Sequence, residues 1–221
     1  MKFSPANTKL QKLQKRIGKR IYSFDLPSGY TCPFAKECKS MAVADGEKMR
    51  IKDGPDCLFR CYSASQEALY KATHLYRMRN YHALHGLTRN AMSRVLFAAI
   101  PKKAEVIRIH TSGDFFNRDY LEAWIDVALS RQDLEFYCYS KCVPWVKAHE
   151  YPENLRITLS YGGTHDNLID DWPSSTVVYG ETDLPVDVDD YHCYKGEKSF
   201  ALMLHGIQPR GSGGNRHTRQ T

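Results

Sequence analysis

The chain has 221 residues, of which 42% are hydrophobic and 12% aromatic, and its formal net charge is +6. This composition supplies a hydrophobic core and excludes a disordered chain. No run of about 18 apolar residues occurs, and no apolar region follows the charged N-terminus, so neither a transmembrane helix nor a signal peptide is expected. We therefore expect one cytoplasmic domain. Disulfides are rare in the cytoplasm, so the seven cysteines need another explanation.

The sequence predicts a basic N-terminal arm (residues 1–20), a single α/β domain (21–209) and a flexible C-terminal tail (210–221). Within the arm, residues 8–20 are predicted to form a short basic helix. Positive side chains cluster at both ends, at Lys9, Lys12, Lys15, Arg16, Lys19 and Arg20 and at Arg210, Arg216 and Arg219. These ends predict weak contact with nucleic acid or with an acidic partner protein, although a solvated helix face has the same pattern.

Strands are predicted over residues 21–26, 106–110, 134–139, 155–159, 176–179 and 199–204. Residues 31–62 form a predicted cysteine-bearing loop, irregular over 44–55. Helices are predicted from Ser63 to about Asn80 and over 87–99, 119–130 and 144–149. Because strands alternate with helices in the first half, we expect an α/β fold with a mostly parallel sheet. Six strands are too few for a complete eight-stranded barrel, so the sheet is expected to be open or a partial barrel.

Polar side chains follow the predicted strands at their carboxyl ends. They are Ser112, Asp114, Lys141, Glu181 and His205. In parallel α/β folds ligands bind at these ends, so the five residues are predicted to contact a cofactor. Any strand can end in a polar turn, and the prediction therefore depends on the set rather than on one residue.

Four cysteines lie within the loop that follows the first strand, with the spacing Cys32-x5-Cys38-x18-Cys57-x3-Cys61. Thiolates bind zinc or iron–sulfur clusters, and zinc sites commonly have short paired C-x2-4-C motifs. The wider spacing here favours a cluster, while zinc and inert thiols stay open. Cys193, in the polar segment DDYHCYKG, is a further candidate, either as a remote ligand or as a surface thiol.

Two other cysteines and two histidines are weighed differently. Cys138 alternates with aromatic residues on a predicted strand and is expected to be a buried small hydrophobe, while Cys142 beside it is not assigned to the site. His110 ends a strand and is expected to be a hydrogen-bonded core residue. His205 is the better functional candidate because a glycine follows it at a strand end.

Longer segments carry a family resemblance. SFDLPSGYTCPFAKEC, FRCYSASQEA, HTSGDFFNRDYLEAWIDVA, FYCYSK, LSYGG and FALMLHGIQPRGS resemble the phage proteins called gene product 88-like, over about Lys15 to Ser212. The resemblance implies a bacteriophage origin and expression in a bacterial cytoplasm. It also implies that Cys32, Cys38 and Cys61 are the main cysteines, with an open or variable fourth position. A host or phage protein is a further candidate partner of the chain.

Three cysteines after the first strand of a partial barrel are also similar to radical S-adenosylmethionine enzymes. The chain departs from that family because it lacks C-x3-C-x2-C and is short, and Tyr161-Gly162-Gly163 matches the glycine-rich cofactor motif only faintly. The sequence thus predicts a phage iron–sulfur protein with a [4Fe-4S] cluster and a redox or cluster-assisted catalytic role. The alternatives are a radical S-adenosylmethionine-like enzyme and a structural zinc protein that binds nucleic acid or a host protein.

Overall fold

The computed structural model describes residues 1–209. The strands are β1 (Ser4–Pro5), β2 (Ile21–Phe24), β3 (Ser40–Asp45), β4 (Lys48–Asp53), β5 (Val106–Ile109), β6 (Glu135–Ser140), β7 (Leu155–Ser160), β8 (Ser174–Val178) and β9 (Phe200–Met203). The helices are α1 (Thr8–Ile17), α2 (Tyr62–Leu69), α3 (Lys71–His82), α4 (Arg89–Ala99), α5 (Arg118–Ser130), α6 (Val143–Val146) and α7 (Tyr191–Lys195).

The described residues form a main sheet of seven strands in the order β1-β2-β5-β6-β7-β8-β9. β1 is antiparallel to β2, and every other neighbouring pair in this sheet is parallel. The predicted α/β class with a mostly parallel sheet is therefore confirmed. Side chains from five adjacent strands line one cavity, so the sheet curves around it; they are Arg108, Tyr139, Ser160, Val177 and Leu202.

Alternation along the strands separates two cores. On β5, Ile107 and Ile109 lie in the larger core together with side chains of α4 and α5. Val106, between Glu105 and Ile107 in the chain, lies on the other face with α1 and α7, as does Tyr137 of β6. The two-residue period of a strand places successive side chains on opposite faces, and we call the face with α1 and α7 the inner face.

The N-terminal segment packs against the sheet instead of extending from it. α1 begins after Asn7, whose side chain accepts a hydrogen bond from the backbone N–H of Leu10 at 3.0 Å. Leu10 and Leu13 are buried on the inner face. The predicted helix forms. The proposed boundary at residue 20 does not separate an arm from the domain, because Leu10 and Leu13, three residues apart on one side of α1, pack into the core on the inner face of the sheet.

Acidic side chains of the domain neutralise most of the positive charge in this segment. The ion pairs are Lys9–Asp190, Arg16–Asp189, Lys19–Glu135 and Arg20–Glu105. Lys12 and Lys15 have no ion pair among the residues that the structure describes. The surface predicted to contact nucleic acid is thus weaker than the sequence charge implies. The predicted flexible tail, 210–221, lies outside the described residues.

Two local predictions need correction. The stretch 44–55, expected to be irregular, contributes to the β3–β4 hairpin, whose strands pair from Ser40 with Asp53 to Asp45 with Lys48. The helix predicted from Ser63 to about Asn80 is two helices, because the backbone at Tyr70 is extended (φ −120°, ψ 89°) and ends the first one. The N-cap of α2 is Cys61 rather than Ser63.

Close packing at Gly113 joins the loop after β5 to the loop that carries Cys32. Gly113 has φ +87°, and a Cβ there would lie 2.6 Å from the Thr31 hydroxyl and 2.7 Å from Cβ of Leu26. Real side chains do not approach so closely, so this contact requires glycine. Gly86 provides a comparison, since it has φ +85° but open space around it.

We predict that Gly113→Ala lowers the free energy of unfolding by about 1–3 kcal/mol more than Gly86→Ala does. Both substitutions place alanine at positive φ, which costs about 1–2 kcal/mol, and only the first adds overpacking. Urea unfolding of both variants measures the difference. Equal losses for the two variants would show that the loop after β5 does not pack tightly on Thr31.

Candidate functional site

A cavity of about 440 Å³ lies at the carboxyl ends of the parallel strands. This is the edge at which α/β proteins bind ligands. The thiol-bearing residues Cys32, Cys38 and Cys61 line the cavity together, as do Phe59 and Ala35 from the same loop. The expectation that the cysteines and the strand ends share one site agrees with this arrangement.

The loop of Cys32 and Cys38 lies on the end of β7. The backbone carbonyl of Gly162 accepts hydrogen bonds from the N–H groups of Lys36 at 3.1 Å and Glu37 at 3.0 Å. Gly162 is itself held, because its N–H donates to the Asp166 carboxylate at 2.8 Å. The Tyr161-Gly162-Gly163 segment therefore positions the cysteine loop.

Cys61 is fixed by the start of α2. It occupies the N-cap without a capping hydrogen bond from its side chain, and its backbone carbonyl accepts from the N–H of Ala64 at 3.1 Å. One turn later, the buried carboxylate of Glu67 accepts hydrogen bonds from Arg77 at 2.9 Å and from the backbone N–H of Ser28 at 2.9 Å. The helix that carries Cys61 is thus tied to the segment that leads to Cys32.

Burial and mutual repulsion disfavour thiolates at this site. Burial raises the pKa of Cys61 to about 11, and its neighbour Cys38 adds to the rise. Burial likewise raises the pKa of Cys32 well above its ordinary value, with further contributions from Asp114 and from the other two thiols. A bound cation would reverse this, because a coordinating thiol loses its proton. Among the described residues, no three His, Cys, Asp or Glu side chains are grouped closely enough to hold a single metal ion.

The other two candidate ligands do not line the cavity. The Cys57 thiol donates to the backbone carbonyl of Phe59 at 3.1 Å, although it is near enough to Cys38 for that thiol to raise its pKa, after the larger effect of burial. The sequence predicts Cys193 to be either a remote ligand or a surface thiol. It is fully buried on α7, and its thiol donates to the carbonyl of Cys138 at 3.4 Å.

Cys138 and Cys142 are both fully buried in the larger core. The burial of Cys138 confirms its prediction as a small hydrophobe.

Four of the five strand-end candidates line the cavity: Ser112, Asp114, Lys141 and His205. Glu181 is exposed and lies outside it. The Asp114 carboxylate accepts from the Ser140 hydroxyl at 2.7 Å and from the Lys141 backbone N–H at 2.8 Å, yet burial outweighs these bonds and raises its pKa.

Lys141 and His205 approach the cavity from different strands. The Lys141 ammonium group donates to the hydroxyl of Ser160 at 2.9 Å and to backbone carbonyls beside it. The His205 ring lies 4.5 Å from the Tyr62 ring, between centroids, and burial lowers the pKa of His205. Both side chains line the cavity, and these contacts hold them in place.

A family model described as Gene product 88 matches residues 1–221. The chain belongs to the Gene product 88 family. Comparisons with curated proteins and with solved structures found no match. The likeness to radical S-adenosylmethionine enzymes gains no support and stays a hypothesis. Among the described residues of this family member, no helix is long and apolar enough to cross a bilayer.

The sequence analysis missed a charged group on the inner face. Arg108 donates through Nε to Asp190 at 2.9 Å, and Lys9 lies 2.6 Å from the same carboxylate. Burial would raise the pKa of Asp190, but the two cations outweigh it and lower the value to about 2. All three residues line the cavity. A single arginine in the apolar strand VIRIH was the available signal, since a charge inside a buried strand requires a partner.

His110 has an unusual backbone and an unpaired nitrogen. Its φ of +64° is rare for a residue with a side chain. Nε2 lies 2.9 Å from the Tyr120 hydroxyl, whereas Nδ1 is buried with no hydrogen-bond partner among the described residues. Burial, and secondarily the charge of Arg108, lower the pKa of His110 to about 3. The ring packs against Phe115 and Tyr120 of the larger core and is neutral at physiological pH.

We predict that His110 makes the protein less stable in mild acid. Between about pH 6.5 and 3 the unfolded state binds a proton that the native state excludes, so the free energy of unfolding falls as pH falls. From pH 7 to 5 this group accounts for about 2 kcal/mol. His110→Asn, whose side chain tolerates positive φ, should remove that part of the loss.

Urea unfolding of wild type and His110→Asn at pH 7 and pH 5 measures the effect as a difference of differences. The remaining histidines titrate equally in both proteins. An identical pH dependence in the two would contradict a buried neutral imidazole.

Proposed function

We propose that this protein binds an iron–sulfur cluster of the [4Fe-4S] type through Cys32, Cys38 and Cys61. In this proposal the cluster has a redox or cluster-assisted catalytic role. The observation that carries it is the convergence of these three thiols, 29 residues apart from first to last, on one cavity at the ligand-binding edge of the sheet. Soft thiolate ligands from one irregular loop suit such a centre.

The electrostatics of the site support a cationic occupant. The raised pKa values of Cys32 and Cys61 mean that burial and the neighbouring anions oppose thiolate charge. The irons of a cluster would supply the missing positive charge.

Three protein thiolates leave one coordination position to be filled from elsewhere. Burial and, to a smaller extent, Cys38 raise the pKa of Cys57, but the Cys57 sulfur is directed to the Phe59 carbonyl. Cys193 lies outside the cavity lining. We therefore favour an exogenous ligand from the cavity over either cysteine. S-adenosylmethionine is one hypothesis for that ligand, and its binding to reduced protein is a separate experiment.

The cellular setting in this proposal is the cytoplasm of a bacterial host. The family is of phage type, and the free thiols of all seven cysteines suit a reducing compartment. A host or phage protein is the expected partner if the role is electron transfer, because a redox centre needs a donor or acceptor. The ion pairs of α1 make nucleic acid the weaker partner hypothesis.

We predict that protein purified without oxygen contains iron and acid-labile sulfide and has a broad visible absorption band. Cys32→Ser, Cys38→Ser and Cys61→Ser should each lose most of the iron, because each removes one of the three thiolates of the cavity. Cys57→Ser and Cys193→Ser should retain it. Metal and sulfide analysis with visible spectra gives the measurement.

Cys138→Ser is the control, since this thiol is buried in the larger core and does not line the cavity. It tests whether iron loss follows from general destabilisation, which circular dichroism of each variant also reports. Full iron in Cys61→Ser would refute the ligand assignment. If the wild-type protein contains stoichiometric zinc but no iron or sulfide, the cluster hypothesis is wrong and the structural zinc hypothesis is favoured.

A further inference from the structure

The cavity extends beyond the thiols to a second, charged end. Lys9, Arg108 and Asp190 line this end together with Tyr139 and Asp187. All five belong to the inner face or to the segments that cover it, and they lie apart from the cysteine loop in the chain. We call them the charged end.

Each carboxylate of the charged end already accepts from at least two donors of the protein. Asp190 receives Arg108 Nε at 2.9 Å on one oxygen and Lys9 Nζ at 2.6 Å on the other. Asp187 receives the Tyr139 hydroxyl at 3.1 Å and a backbone N–H at 3.4 Å, from Cys193. Little acceptor capacity is left for a ligand.

Donors remain in surplus at the same place. A guanidinium has five N–H groups, and Arg108 uses Nε for Asp190 and Nη1 for the Ile109 carbonyl at 3.0 Å. Its Nη2 group has no hydrogen-bond partner within the part of the chain that the structure describes. An ammonium has three N–H groups, and Lys9 has one recorded carboxylate partner. Surplus donors beside saturated acceptors select a ligand with acceptor oxygens.

We propose that the charged end binds the anionic oxygen group, a carboxylate or a phosphate, of a small organic molecule. Arg108 Nη2 and Lys9 Nζ donate to that group. The cavity volume of about 440 Å³ lies in the range of metabolite sites. An inorganic anion would fill a small part of it, and the rest of the molecule extends towards the cysteines.

Calorimetric titration tests the site with two probes, inorganic phosphate and succinate, at constant ionic strength set by chloride. We expect saturable binding of at least one probe. Lys9→Met and Arg108→Lys should each weaken it about tenfold, the effect of one lost hydrogen bond to a charged group. Arg108→Lys keeps the charge for Asp190 but lacks the forked donor pair.

Lys12→Met is the matched control. It lies one turn from Lys9 on α1, is exposed and has no ion pair among the described residues. It should bind the probe as wild type does.

Each outcome decides the proposal. Saturable binding of phosphate alone indicates a phosphorylated ligand, and binding of succinate alone indicates a carboxylate ligand. No saturable heat with either probe overturns the proposal, as does an equal loss in Lys12→Met or unchanged affinity in Lys9→Met and Arg108→Lys. The proposal does not require the cluster. Titration of iron-free Cys61→Ser should give the wild-type affinity, so failure of one proposal is distinguishable from failure of the other.

Discussion

The buried carboxylate of Glu67 is the interaction on which the site depends. It joins four segments: α2 that carries it, α3 through Arg77, the turn before Cys32 through the Ser28 N–H, and the loop after β5 through the Ser112 hydroxyl at 3.2 Å. A buried charge that loses a partner costs about 3–5 kcal/mol. The four segments therefore have to be assembled together, and Cys61 and Cys32 reach their positions only in the assembled state.

The inner face applies the same constraint a second time. Arg108 lies with its guanidinium carbon 4.5 Å from the centroid of the Tyr139 ring, and it pairs with Asp190. The interior of a small barrel is normally filled by apolar side chains, and replacing a buried ion pair by apolar residues is often neutral or stabilising. Stability alone thus gives no reason for these charges, whereas a ligand with complementary oxygens does.

The strands of the main sheet were predictable because their buried residues form short apolar runs with clear turn signals. The hairpin was not, since its alternating Met49 and Ile51 are only half-buried and lie between lysines and an arginine. Gly46, with φ +60° at the first loop position, was a usable hairpin signal that the apparent irregularity of the segment obscured. Docking of α1 was hidden because two leucines stand among many cations.

In the site, residue type predicted the cavity-lining cysteines, but no sequence pattern shows depth. Cys193 has polar neighbours in the chain and is nevertheless buried, because α7 turns its sulfur towards β6. His110 differs, because its positive φ and its unpaired ring nitrogen are properties of the folded chain that no residue pattern shows. The two ends of the cavity thus differ in how far the sequence predicts them. The thiol end can be predicted from the spacing of the cysteines. The charged end forms where α1, β5 and the segment before α7 meet, and only the tertiary structure shows that meeting.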